Sequence, residues 1–160
     1  MPLEPLQQWI CDTCGQRIHR RDDGWMQWLV DNDDRFTKYA FRIVHHLSAS
    51  PKPGAHGCYY REPAELSVAD VPLPYVLGVD GLAHVLSFLT DGAGVRDVGA
   101  FVELIRRCHV PYYEEARRYL ARAEYDGVIE SAQRADIYTQ DVLRYLVARY
   151  TTEGADTAGA

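Results

Sequence analysis

Trp9-Ile10-Cys11-Asp12-Thr13-Cys14-Gly15 is the stretch on which the fold turns. Two thiolates three positions apart reach one tetrahedral ion when the chain between them curls tightly, and glycine at the next position permits that curl. The competing reading of Cys11 and Cys14 is a redox dithiol. A thioredoxin-like pair precedes a helix within a βαβ pattern, which residues 15–30 do not show. Two ligands require two more, and the same region supplies His45, His46, His56 and Cys58.

Residues 9–60 hold all three tryptophans together with Phe36, Tyr39, Phe41, Tyr59 and Tyr60. These aromatic runs are broken by turn-forming clusters, Asp22-Asp23-Gly24 and Asp31-Asn32-Asp33-Asp34. Aromatic and β-branched runs bounded by Asp, Asn and Gly predict short strands, here over 24–30 and 39–46, as antiparallel neighbours. Side chains alternate along a strand, so Tyr39, Phe41, Ile43 and His45 share one face, while Arg42, Val44 and His46 share the other. The first face is the more apolar. That parity selects Cys11, Cys14, His45 and Cys58 as the metal ligands, with His46 or His56 as the alternative to His45.

On Cys11-Asp12-Thr13-Cys14-Gly15 and the second ligand pair, residues 9–60 resemble zinc ribbons and related treble-clef or knuckle proteins. The resemblance implies one structural zinc ion per chain and a small zinc-stapled β module that binds protein or nucleic acid. A standard ribbon carries a second Cys-x-x-Cys, whereas His45-His46 and Cys58 stand here across a long spacing. Val44-His45-His46 also resembles the first motif of His-Asn-His nucleases, in which one histidine activates water and another contacts the metal. Residues 47–60 contain no asparagine to continue that motif.

Residues 63–78, with Pro63, Pro72, Pro74 and Gly78, read as a connector, because proline removes donors that a helix or central strand needs. Beyond it the apolar period becomes helical. Leu82, Val85, Leu86 and Leu89 align after Asp80, and Val98, Phe101, Val102, Ile105 and Cys108 align after Asp97. A third helix is predicted from Pro111 to Gly127, and a fourth over 139–150. Cys108 falls within an apolar pattern and reads as core packing. Tyr112 and Tyr119, and likewise Tyr138 and Tyr145, lie seven residues apart and read as helix packing. The expected fold class is therefore α+β: a zinc-stapled antiparallel β module over 1–62, the connector over 63–78, a bundle of about four helices over 79–150, and a disordered tail over 151–160.

Composition bounds the function. With 47% hydrophobic and 25% charged residues in 160, the chain is neither largely disordered nor membrane-like. Residues 1–62 hold eight basic and eight acidic residues, and the remainder nine and fifteen, so neither half has the concentrated positive charge of a phosphate-binding surface. The first ten residues lack a secretory signal pattern, and the cytoplasm is the expected compartment. The leading expectation is a non-enzymatic zinc-binding interaction or regulatory module recognising a macromolecular partner, with protein ahead of nucleic acid and no membrane. The alternatives are a metal-dependent nuclease or hydrolase using His45 and His46, and nucleic-acid binding by base stacking on the aromatic-rich module.

Overall fold

The computed structural model describes residues 1–32, 36–61, 66–130 and 135–156. Its class is α+β, with small antiparallel sheets and, among the described residues, five α-helices. The chain divides into two compact units, Gln7–His109 on one hand and Met1–Leu6 with Val110–Ala160 on the other.

In the first unit, β1 (Trp9–Ile10) and β2 (Arg17–Ile18) form a short antiparallel hairpin, with Trp9 opposite Ile18. The intervening turn closes through the Cys11 N–H on the Gln16 carbonyl and the Gly15 N–H on the Cys11 carbonyl, both at 2.9 Å. Gly15 has a φ of 71°, where a side chain would be strained, so the glycine after the second cysteine serves the turn as expected.

The larger sheet has the order β4-β3-β5, with β3 at Gly24–Asp31, β4 at Thr37–His45 and β5 at Leu66–Pro72, all antiparallel. The first two strands lie where aromatic patterning places them. The third falls inside the predicted connector. Pro72 is the last residue of an edge strand, where its missing N–H costs no ladder bond. A bulge interrupts β4: Gln27 faces Arg42 but Leu29 faces Tyr39, and Ala40 has a φ of 51°. The extra residue flips the alternation, so Tyr39 stands on the opposite face from Phe41, Ile43 and His45, and the single apolar face read from the sequence begins at Phe41.

One face of this sheet packs on α1 (Gly78–Ser87) and α2 (Val98–His109). Met26, Trp28, Ile43, Val85, Phe88, Phe101, Leu104 and Cys108 share this core with Trp9, Cys11, Ile18 and Cys58. Phe101 lies 5.2 Å from Phe41, and Phe88 lies 5.0 Å from Trp28, between ring centroids. The helical pattern is offset from the one read in the sequence. Val98 is exposed, and Leu104 and Arg107 join Phe101 and Cys108 in the buried stripe. A buried arginine is invisible to apolar periodicity, and it rotates the expected face.

In the second unit, α3 (Tyr113–Ala116), α4 (Leu120–Tyr125), a 3₁₀ turn over Ala135–Tyr138 and α5 (Gln140–Asp156) enclose a separate core of Tyr113, Ala116, Ala123, Ile129, Ile137, Leu143, Leu146 and Tyr150. The helix predicted from Pro111 is two helices: Tyr112, with a φ of 66°, precedes the first, and a turn at 117–119 separates them. Gly127, with a φ of 68°, ends α4 as predicted, with the Val128 N–H closing on the Ala123 carbonyl at 2.8 Å. The last helix continues past Tyr150 into the segment expected to be a tail, while 157–160 lie outside the described residues. The N-terminal segment joins this unit through the Leu3 N–H, which donates to Glu115 Oε2 at 3.1 Å. The helices α1 and α2 belong to the first unit and share the β module's core.

Candidate metal centre

Three separate pieces of the first unit bring four side chains together. The hairpin turn carries Cys11 and Cys14, the end of β4 carries His45, and the loop after a 3₁₀ turn at Leu47–Ala49 carries Cys58. One ligand atom from each lies within 4.8 Å of all the others. Cys14 Sγ and Cys58 Sγ stand 3.5 and 3.9 Å from His45 Nδ1. A tetrahedral ion with bonds of about 2.3 Å to sulfur and about 2.0 Å to nitrogen would hold those atoms roughly 3.5 Å apart. The four residues therefore lie close enough to hold one metal ion.

The imidazole is oriented for that task. His45 Nε2 lies 3.2 Å from the Arg17 carbonyl oxygen, which can only accept, so Nε2 carries a hydrogen and Nδ1 is the ring nitrogen turned to the thiols. Cys11, His45 and Cys58 are buried, and Cys14 is half-buried. Burial and the neighbouring Cys11 thiol push Cys14 up to about 12, against a lowering by the Gln16 amide. Burial also raises Cys58, but hydrogen bonds from Ser50, Cys14, Cys11 and the Lys52 amide outweigh it and leave that thiol below its ordinary value. The two thiols are thus pushed in opposite directions, Cys14 up and Cys58 down. A bound cation favours the thiolate form of the cysteines that ligate it.

The two residues between the cysteines fix the turn to its surroundings. Asp12 Oδ2 accepts from the Ile43 N–H at 2.7 Å and from Arg107 Nη1 at 2.7 Å, and Thr13 Oγ1 donates to the Cys58 carbonyl at 2.6 Å. Arg107 Nη2 also donates to the Ile10 carbonyl at 3.1 Å. Ser50 Oγ donates to Cys58 Sγ at 3.2 Å. None of Asp12, Thr13, Ser50 and Arg107 announces itself in the sequence: the first two and Arg107 act through partners distant along the chain, and Ser50 through a loop contact with Cys58 that has no spacing signature.

The substitutes for His45 lie elsewhere. His46 Nδ1 is 2.7 Å from Ser48 Oγ, and its ring packs 5.3 Å from Trp25. His56 is exposed on a different cavity. Cys108 lies in the core between sheet and helices.

No family model matches this chain, and neither curated proteins nor solved structures provide a match. The donor geometry is therefore the ground for a functional reading. Among the described residues, no helix is long and apolar enough to cross a membrane.

Proposed function

We propose that Cys11, Cys14, His45 and Cys58 hold one structural zinc ion, and that the chain is a non-enzymatic interaction module whose partner is another protein. The observation that carries the metal assignment is the convergence of three sulfurs and one correctly oriented imidazole nitrogen within 4.8 Å. Soft thiolates with imidazole at tetrahedral spacing favour zinc over hard-ligand cations. Four protein ligands, most of them buried, fit a closed structural site better than a catalytic one, which keeps a position open for water. The hydrolase alternative draws on His46, which is turned to Ser48 and Trp25 and adds no ligand to the cluster.

Protein recognition is favoured by the outer side of α1. Tyr75, Val79, Leu86 and Leu89 are exposed apolar side chains on or beside that helix, a composition that suits a protein surface better than a phosphate backbone. The formal net charge of −6 points the same way.

Metal content per chain, measured by mass spectrometry on untagged protein purified without added metal, tests the assignment. About one zinc per chain is expected, lost in Cys11→Ser together with folded structure in the first unit. Well-folded wild-type protein without metal would overturn it.

A further inference from the structure

The sheet face turned away from α1 and α2 carries a cavity of about 590 Å³, lined among others by Gln27, His56, Tyr59, Tyr60, Arg61 and Asp70. His56, Arg61 and Asp70 are exposed at its rim, whereas Gln27 is wholly buried. The Gln27 side chain has a fixed orientation. Its Oε1 accepts from the Tyr60 N–H at 3.1 Å and from Arg42 Nη2 at 3.4 Å, so exchanging oxygen and nitrogen would set an amide N–H₂ against two donors. That orientation leaves Nε2 buried without a hydrogen-bond partner. Such a donor is costly unless something supplies an acceptor.

The neighbouring strand completes the pattern. Gln27 stands directly across from Asp70 in the β3–β5 register, so the two side chains leave the same face side by side. A donor beside an acceptor matches a group that offers an acceptor beside an N–H. The tyrosines supply aromatic wall: the Tyr60 hydroxyl donates to the Ala40 carbonyl at 2.8 Å, with the Arg42 guanidinium over one face of its ring, and the Tyr59 hydroxyl accepts from the Leu47 N–H at 3.3 Å. Flat surface with a paired polar edge selects a planar ligand.

We propose that this cavity binds a small planar ligand through an amide-like edge, with Gln27 Nε2 donating to its acceptor and the Asp70 carboxylate accepting its N–H. A carboxamide and a nucleobase share that edge. An acceptor-only anion would satisfy Gln27 but meet Asp70 with like charge. The inference does not depend on which ion the cysteine cluster holds.

Nitrogen-edited NMR of the full chain, following the Gln27 side-chain amide pair, tests the proposal with nicotinamide, adenosine and benzoate as probes. Saturable shifts of that pair with nicotinamide or adenosine, and none with benzoate, are expected; a response to nicotinamide alone assigns a carboxamide, and one to adenosine a nucleobase. Asp70→Ala, at an exposed position that leaves the fold intact, should weaken the responding probe about tenfold, the size of one lost hydrogen bond to a charged group. An unmoved Gln27 amide with both probes, an equal response to benzoate, or undiminished binding in Asp70→Ala would overturn the proposal.

Discussion

A buried arginine must have its charge matched, and Arg107 finds the match in Asp12, between two of the clustered thiols. The same guanidinium holds the Ile10 carbonyl, while the Trp9 indole N–H donates to the Arg107 carbonyl at 3.1 Å. The turn that presents Cys11 and Cys14 is thus shaped by a residue almost a hundred positions away on α2. Arg107→Met is expected to cost roughly 3 kcal/mol in denaturant unfolding, because it leaves the Asp12 carboxylate without its cation. Metal affinity, followed by chelator competition, should fall roughly 10–100-fold, as for other partners that orient metal ligands. Arg107→Lys keeps the charge but not the two-pronged contact, and should fall between. At this scale the sequence was legible where spacing encodes geometry. The Cys-x-x-Cys-Gly turn and strand parity point to Cys11, Cys14 and His45, which lie in the cluster close enough to hold one ion. Asp12, Thr13, Ser50 and Arg107 escaped because their partners are set by tertiary contact, which spacing does not encode.

Elements were legible in proportion to their regularity. The central strand β3, Gly-Trp-Met-Gln-Trp-Leu-Val-Asp, is dense in aromatic and branched residues and stands where expected. Its edge partner β5 was hidden because a strand that ends in proline reads as a connector until the chain position on the sheet edge is known. The helix from Pro111 onward broke because Tyr112 adopts a left-handed conformation that no periodicity signals. Glycine within α1 gives a sharper test of packing against propensity. In an exposed helix interior, Gly→Ala gains about 1 kcal/mol. At Gly81, however, a Cβ would lie 2.3 Å from the Val76 carbonyl carbon and 2.8 Å from its oxygen, both backbone atoms that cannot swing aside. Gly81→Ala should therefore destabilise by about 1–3 kcal/mol despite the better helix former. Gly99→Ala in α2, whose Cβ would meet only Asp97 Oδ1 at 3.2 Å, should be neutral or mildly stabilising. Thermal unfolding of the pair decides: a stabilised Gly81→Ala would show that α1 does not approach the Val76 backbone as described.

For the whole molecule, the consequential difference from the sequence reading is which helices share a core with the cysteine–histidine cluster. Composition changes near residue 62, which suggested a β module separate from all the helices. The compact units instead divide between His109 and Val110, since Phe88, Phe101, Leu104 and Cys108 pack in the core that contains Cys11 and Cys58. Hydrophobic patterning reveals that a helix has an apolar face, and not which surface covers it. Shared packing has a consequence for stability. With zinc in the cluster, removing it leaves three crowded thiols and loosens the turn that Arg107 ties to α2, so the loss should spread from the hairpin into the sheet and both helices on it. The second unit has its own core of Tyr113, Leu143, Leu146 and Tyr150, and a buried Glu115 carboxylate satisfied by Arg118, Tyr119 and the Leu3 amide. Amide hydrogen exchange before and after chelation separates the two cores. Protection in β3, β4, α1 and α2 is expected to fall together, while α5 keeps its own. Loss confined to residues 11–18 would mean that the metal staples only the hairpin, and equal loss in α5 would mean that the two cores fold as one.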